Sequence, residues 1–290
     1  MKKGPPRKLT PEIEKELCDE YLNTTSSVRS LLKKYNIGST NFERIRKRNN
    51  LPLKHRSNTV AKIGKIKCNE NYFENIDSEN KAYWLGFITA DGCIHQKQNG
   101  NLYKLSIQLS HIDFSHLEKF LIDLESEHTI TVRDQLNKKL NKVYKGCFIN
   151  ICRPKLCEDL NKYGVGPNKS KELDPPLISD DLMPHYIRGL IDGDGCWTID
   201  NSKYPQMHMS FVSSVESFTK DIKDILDAKC NVNKDIKIKT QIGCWSFTYG
   251  GNLQCGKIYQ YLYNNATIYL DRKYNLCKQW FDNKFLEIEQ

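Results

Sequence analysis

Apolar side chains recur at helical spacing from the start of the chain. Ile13, Leu17 and Tyr21 follow Thr10 and Pro11, an N-cap and a first-turn proline, and predict a first helix. The run TTSS interrupts it. Val28, Leu31, Leu32 and Tyr35 form a second stripe. NIGST then predicts a tight turn around Gly38, and Ser39 or Thr40 caps a third helix with Phe42 and Ile45 facing inward. Residues 51–68 show no clear period and read as an extended lysine-rich linker.

From about residue 83 one order of elements occurs twice, over 83–173 and 186–282. YWLGFITADGCI (83–94) and YIRGLIDGDGCW (186–197) are apolar runs that end in an acid between small residues. YKLSIQLS (103–110) and PQMHMSFVSS (205–214) alternate apolar and polar positions, as half-buried strands do. Amphipathic helices follow at 114–124 and 215–226. Strands follow at 129–134 and 144–153 in the first half, and at 235–240 and 244–249 in the second. Each half then has a helix, at 154–164 or 254–265, and closes on a lysine, Lys169 or Lys273. Asp91 to Lys169 spans 78 residues and Asp194 to Lys273 spans 79. The repeat predicts two α+β halves in one pseudo-two-fold body.

The alternation also sorts the strand faces. Tyr103, Leu105, Ile107 and Leu109 point one way and Lys104, Ser106, Gln108 and Ser110 the other. Ile236 and Ile238 oppose Lys237, Lys239 and Gln241, while Arg133, Thr248 and either Asn150 or Arg153 extend the polar face. Such a face is suited to base edges and phosphates.

Charge divides the chain further. Of its 290 residues, 1–67 carry 17 Lys/Arg and 6 Asp/Glu, a net +11, and the rest carry 27 and 29, a net −2. A basic module on a near-neutral body points to a polyanionic partner. The third predicted helix exposes Asn41, Arg44, Lys47 and Arg48, with Arg46 close by, and completes a helix-turn-helix pattern suited to a major groove. With 39 % apolar and 27 % charged residues the composition is that of a soluble globular protein. No run is long and apolar enough to span a membrane, and the start has no apolar signal core. The 11 cysteines include no CxxC pair. Zinc at Cys147, Cys152 and Cys157 is conceivable, but core packing and reduced, cytosolic thiols explain them more simply.

Gly86 and Ala90, and Gly189 and Gly193, are each four apart and share a helix face. Small residues there let two helices meet closely, which would bring Asp91 and Asp194 together at the helix ends. Paired carboxylates repel unless a cation lies between them, and beside DNA that cation is Mg²⁺.

Against the template LAGLIDADG, IRGLIDGDG (187–195) matches at six of nine positions and WLGFITADG (84–92) at five. The chain resembles the single-chain, two-motif LAGLIDADG homing endonucleases over roughly 80–282. Its leader is similar to the extra DNA-binding modules of some free-standing or phage-borne nucleases of this kind. The resemblance implies an α+β pair of αββαββα halves whose antiparallel sheets form a DNA-binding saddle, behind a small all-α helix-turn-helix domain. The boundaries read 1–53 helix-turn-helix, 54–79 basic linker, 80–180 first half and 181–290 second half. It implies Asp91 and Asp194 as metal ligands, helped by the Ala90 and Gly193 carbonyls, with Mg²⁺ or another divalent ion such as Mn²⁺. It implies Lys169 and Lys273 as the basic residues, Lys171 being the alternative to Lys169, and Gln108 as the residue that orients solvent. Thr89 departs from the first acid of the template, whereas Asp192 keeps it and reads as a structural or cap residue. The counterpart of Gln108 is Val212, or else Ser210 or Ser213, so the two ends of the site are expected to be unequal.

The implied activity is sequence-specific double-strand cleavage by a monomer, on a long asymmetric DNA site, leaving short 3′ overhangs. The setting would be the cytoplasm of a prokaryotic or phage-infected cell, at the nucleoid. A catalytically silent DNA-binding regulator, or an intron RNA maturase, is the alternative on the same scaffold. An intein is disfavoured, because the chain starts MKK and ends EIEQ.

Overall fold

Thr10 and Pro11 open the first helix. The Ile13 N–H donates to Thr10 Oγ1 at 3.4 Å and the Glu14 N–H to the Thr10 carbonyl at 2.9 Å. In the computed structural model, which describes residues 9–23, 28–52, 66–137, 141–232, 234–241 and 243–288, this helix is α1 (Pro11–Asn23). It is followed by α2 (Val28–Lys34) and α3 (Ser39–Arg48). Leu17, Cys18, Tyr21, Leu31, Ile37, Phe42, Ile45 and Leu51 form their core. Ile13, expected inside, is exposed, and Cys18 takes its place in the inward stripe. Gly38, not Ser39 or Thr40, is the N-cap of α3, without a side-chain cap. The left-handed residue of the preceding turn is Asn36, at φ 49°, and Gly38 is extended at φ −79°.

The chain divides into two compact units, Met1–Gly64 and Lys65–Gln290. Of the linker expected over 54–79, residues up to 65 lie outside the described ones, as does the TTSS interruption at 24–27. Residues 66–79 do not form a free linker, because Tyr72 and Phe73 are buried in the core of the second unit.

The second unit starts with α4 (Glu79–Asp91), which runs straight into β1 (Gly92–Gln96), β2 (Leu102–Ser110), α5 (Phe114–Asp123), β3 (Thr131–Asn137), β4 (Lys142–Ile151) and α6 (Pro154–Lys162). The same order recurs in α7 (Met183–Asp194), β5 (Gly195–Ile199), β6 (Met207–Ser213), α8 (Glu216–Cys230), β7 (Lys239–Gln241), β8 (Cys244–Gly250) and α9 (Asn252–Tyr263). A further helix, α10 (Asp271–Ile288), closes the chain. Each half is a four-stranded antiparallel sheet, ordered β1-β2-β4-β3 or β5-β6-β8-β7. Leu105, Ile107 and Leu109 of β2, and Met207, Met209 and Phe211 of β6, face one core shared by both halves. The strand expected over 235–240 shrinks to the three residues of β7.

The two sheets share a register. Gly92 pairs with Ile107 and Ile107 with Ile149; Gly195 pairs with Phe211 and Phe211 with Phe247. Gln108 and Val212 therefore occupy equivalent positions, and Ser210 and Ser213 do not. Gly92 and Gly195 make the passage from helix to strand possible. A Cβ on either would lie 2.6 or 2.7 Å from the carbonyl oxygen of Ile88 or Ile191.

Candidate active site

Helices α4 and α7 are buried on nearly every side, Ala82–Thr89 in one and Tyr186–Asp192 in the other. They touch backbone to backbone. A Cβ at Gly86 would lie 1.9 Å from the Tyr186 carbonyl oxygen, and one at Gly189 would lie 2.1 Å from that of Tyr83. Farther along, a Cβ at Gly193 would meet the Ala90 Cβ at 2.3 Å and Asp91 Oδ2 at 3.3 Å. This contact places Asp91 beside the end of α7, where Asp194 is the last residue.

Both acids are perturbed. Burial and the Asp194 charge push the Asp91 carboxyl up to about 6, against the pull of Lys273 and Lys169. Asp194 is also raised by burial, with Lys169 and Lys273 opposing. Each helix end holds an ammonium group. Lys169 Nζ donates to the Thr89 carbonyl and, at 2.8 Å, to the Ala90 carbonyl. Lys273 Nζ donates to the carbonyls of Ile191 at 2.8 Å, Asp192 at 2.7 Å, Gly195 at 2.5 Å and Gly193 at 3.4 Å. The last carbonyls of a helix lack intrahelical donors and carry its negative pole, so a lysine there answers both needs. Burial lowers the pKa of both lysines, and the nearby acids oppose it. Lys171 is exposed and makes no such contact among the described residues.

The backbone part of the expected ligand set is therefore already engaged, since the Ala90 and Gly193 carbonyls accept from Lys169 and Lys273. What remains is an all-oxygen pair of carboxylates, which suits a hard divalent cation that keeps waters and substrate oxygens. Among the described residues no group of three or more His, Cys, Asp or Glu is placed to hold a metal ion. Cys147 and Cys157 are buried free thiols, and burial raises Cys157 to about 12.

A cleft of about 340 Å³ opens beside the helix ends, lined by Thr89, Ala90, Cys93, Lys169, Asp194 and Ser213 among others. On the outer face of the first sheet, Gln108 Nε2 donates to Gln135 Oε1 at 3.1 Å and Ser106 Oγ to Asn150 Oδ1 at 2.7 Å. Arg133 sits over the Phe148 ring, its Cζ 3.9 Å from the centroid, and Lys104 stands half-buried beside Tyr103. Gln135 was missed by the sequence reading, although it stands two residues after Arg133 and shares its face. Thr248 and Lys239 are exposed on the second sheet. Gln241 pairs in register with Cys244.

Three expectations change. Arg153 is buried rather than on the outer face: its Nη1 donates to the Cys152 carbonyl at 3.1 Å and its Nη2 to that of Ile66. Lys237 is exposed but precedes β7, so no strand pairing orients it. On α3, Arg48 is paired with Glu14, and Arg46 folds back onto Glu43 and the Leu51 carbonyl. Arg44 and Lys47 are exposed there and Asn41 is half-buried.

The two acid positions before the tips differ. Thr89 Oγ1 donates to the Leu85 carbonyl at 2.7 Å within its own helix. Asp192 is buried and accepts from Tyr83 Oη at 2.9 Å, Tyr263 Oη at 2.7 Å and the Leu270 N–H at 2.7 Å.

Two repeated sheets joined through an acid-tipped helix pair are the LAGLIDADG homing-endonuclease fold, and this chain has that fold. The homing endonuclease I-WcaI, solved bound to its DNA recognition sequence, superposes with a TM-score of 0.54 at 14 % identity, covering 79 % of this chain and 97 % of that one. The LAGLIDADG meganuclease I-AabMI, solved bound to uncleaved DNA, gives 0.47 at 12 % identity, covering 71 % of this chain and 91 % of that one. No protein-family model and no curated protein matches the sequence. Among the described residues no helix is long and apolar enough to cross a membrane.

Proposed function

We propose that this protein is a sequence-specific, divalent-metal-dependent endonuclease of double-stranded DNA that acts as a monomer. The observation that carries this is the meeting of Asp91 with the Asp194 end of α7, each helix end holding a lysine, Lys169 or Lys273. One chain supplies both acids, so one molecule can address both strands of a duplex. Asp91 and Asp194 would hold Mg²⁺ or Mn²⁺, which when bound activates water and neutralises charge on a phosphodiester.

The chain's own groups do the rest. Lys169 and Lys273 supply fixed positive charge where the pentacovalent phosphate would form. Lys104, Ser106, Gln108, Arg133, Lys239 and Thr248 face the duplex. In the first unit, Asn41, Arg44 and Lys47 would meet further DNA. Cleavage of a long asymmetric site with short 3′ overhangs, and spread of the coding element by its insertion at that site, belong to this reading.

The test is incubation of the full chain with a random duplex library, with and without Mg²⁺, followed by mapping of the cut ends. Paired cuts at one recurring site, only with the ion, are the expected result. Binding without cleavage at any ion concentration would leave a DNA-binding regulator instead.

A further inference from the structure

The hydrogen-bond network behind the acid pair crosses between the halves, and among the described residues only the side chain at 192 carries it on to the backbone that bears a lysine. Asp192 accepts from Tyr83, which belongs to α4 of the first half. Because Tyr83 spends its proton on Asp192, its oxygen must accept from His116 Nε2, 3.0 Å away. That fixes the proton of this buried imidazole on Nε2 and leaves Nδ1 a lone pair without a partner among the described residues. The same carboxylate oxygen, Oδ2, also accepts the Leu270 N–H at 2.7 Å, while Oδ1 accepts from Tyr263 Oη. Leu270 in turn accepts the Lys273 N–H at 3.0 Å in the first turn of α10. The path thus runs from His116 and Tyr83 through Asp192 to the backbone that carries Lys273. In the first half Thr89 Oγ1 donates within its own helix and its side chain meets the Tyr186 hydroxyl of α7, but among the described residues it makes no hydrogen bond to the loop that carries Lys169.

Resting on the endonuclease reading, we propose that Tyr83 and Asp192 are positioning residues for Lys273, through which the first half sets the basic group of the second half's end of the site. Among the described residues Lys169 has no such support, so the two DNA strands are cut at unequal rates.

The test uses the full chain and needs no DNA at first. Wild type, Tyr83→Phe and Tyr186→Phe are labelled with an amine-reactive succinimidyl ester, and Lys273 and Lys169 are quantified by mass spectrometry. Tyr186 is the buried counterpart of Tyr83 on α7, so its variant controls for loss of a buried hydroxyl from the same interface. Tyr83→Phe is expected to raise Lys273 labelling about tenfold, the effect of one lost hydrogen bond to a buried charge, and to leave Lys169 unchanged. Tyr186→Phe is expected to leave Lys273 at the wild-type rate. Unchanged Lys273 labelling in Tyr83→Phe, or an equal rise in Tyr186→Phe, overturns the proposal. If Tyr83→Phe does not fold, Asp192→Asn carries the same comparison with the same expected result.

On a duplex selected by the wild type and labelled on both strands, Tyr83→Phe should slow one strand and accumulate the nicked form. Equal slowing of both strands overturns the positioning role. A wild type that cuts no DNA defeats the endonuclease reading, while the labelling result still decides whether Tyr83 places Lys273.

Discussion

Arg188, wholly buried in α7, donates from Nη2 to Glu79 Oε1 at 2.7 Å in the first turn of α4. Its Nε and Nη1 donate to the carbonyls of Ile268 at 2.9 Å and Leu262 at 2.7 Å. The interface is therefore clipped at its start by an ion pair and closed at its end by the acids. Removing one partner of a buried pair strands the other charge. With Glu79 about a fifth exposed, Glu79→Ala is expected to cost about 2–3 kcal/mol. Urea denaturation should show a lower midpoint at an unchanged slope; an unchanged midpoint would mean that Arg188 is satisfied by its carbonyls alone.

The same pair predicts a pH dependence. Burial pushes the Glu79 carboxyl up, but the Thr267 N–H and the Arg188 charge outweigh it and hold the group below its ordinary 4.5. A depressed folded pKa favours the ionised form on folding. Its contribution is complete above about 4.5 and is lost as pH falls through the lower folded value. Glu79→Gln should therefore be less stable than wild type at pH ~7, and the gap should close as pH falls below the lowered folded value. A gap that stays constant with pH would remove Glu79 ionisation as its source.

The interface glycines make a sharper contrast. A Cβ at Gly189 would face backbone on both sides, 2.1 Å from the Tyr83 oxygen and 2.7 Å from the Phe87 nitrogen, so no side-chain rotation relieves it. In α9 a Cβ at Gly256 would meet only the Phe281 ring, at 3.4 Å. Gly189→Ala should cost about 3 kcal/mol or more by overpacking. Gly256→Ala should be neutral or stabilising by up to ~1 kcal/mol through helix propensity. Thermal unfolding of the two variants side by side decides it, and equal melting temperatures would rule out close packing at Gly189.

On α3, Arg44 is exposed whereas Arg48 is paired with Glu14. If this helix meets phosphates, Arg44→Ala should reduce the slope of log affinity against log salt by about 1, and Arg48→Ala by less. Titrations at several salt concentrations measure both slopes. Identical slopes for wild type and Arg44→Ala would take Arg44 off the DNA.

Helical and strand periods, together with the glycines four apart, made the two halves and the helix contact legible, because each is a local pattern. Lys169 and Lys273 were legible from their matched distances to the acids. The network through Tyr83 was not, since its bonds join residues 33 and 109 apart and no local spacing marks them. Arg153 misled because alternation assigns a face without showing that residues 66–70 fold over it. β1 and β5 were named only through the resemblance, as five residues directly after a helix are too few for a period. Helix α10 went unseen because charged and aromatic residues interrupt its apolar stripe.

The acid pair itself joins a functional prediction to one about stability. Asp91→Asn and Asp194→Asn keep side-chain size but remove the charge that would hold a divalent cation. Cleavage should fall by at least ~100-fold in either variant, since changes in the outer shell of a metal site alone cost ~10–100-fold. DNA binding should persist in both, because each removes a negative charge from a surface that would face phosphates. The stability effect has the opposite sign. A folded carboxyl raised to about 6 favours the protonated fold, so its contribution is complete below about 3.8 and is lost as pH rises through about 6. Without divalent ions, ionised Asp91 is therefore a cost at pH ~7, and Asp91→Asn should melt higher than wild type there but not at pH ~4. A variant that melts lower at neutral pH and still cuts DNA would show that Asp91 packs the interface and takes no part in the chemistry.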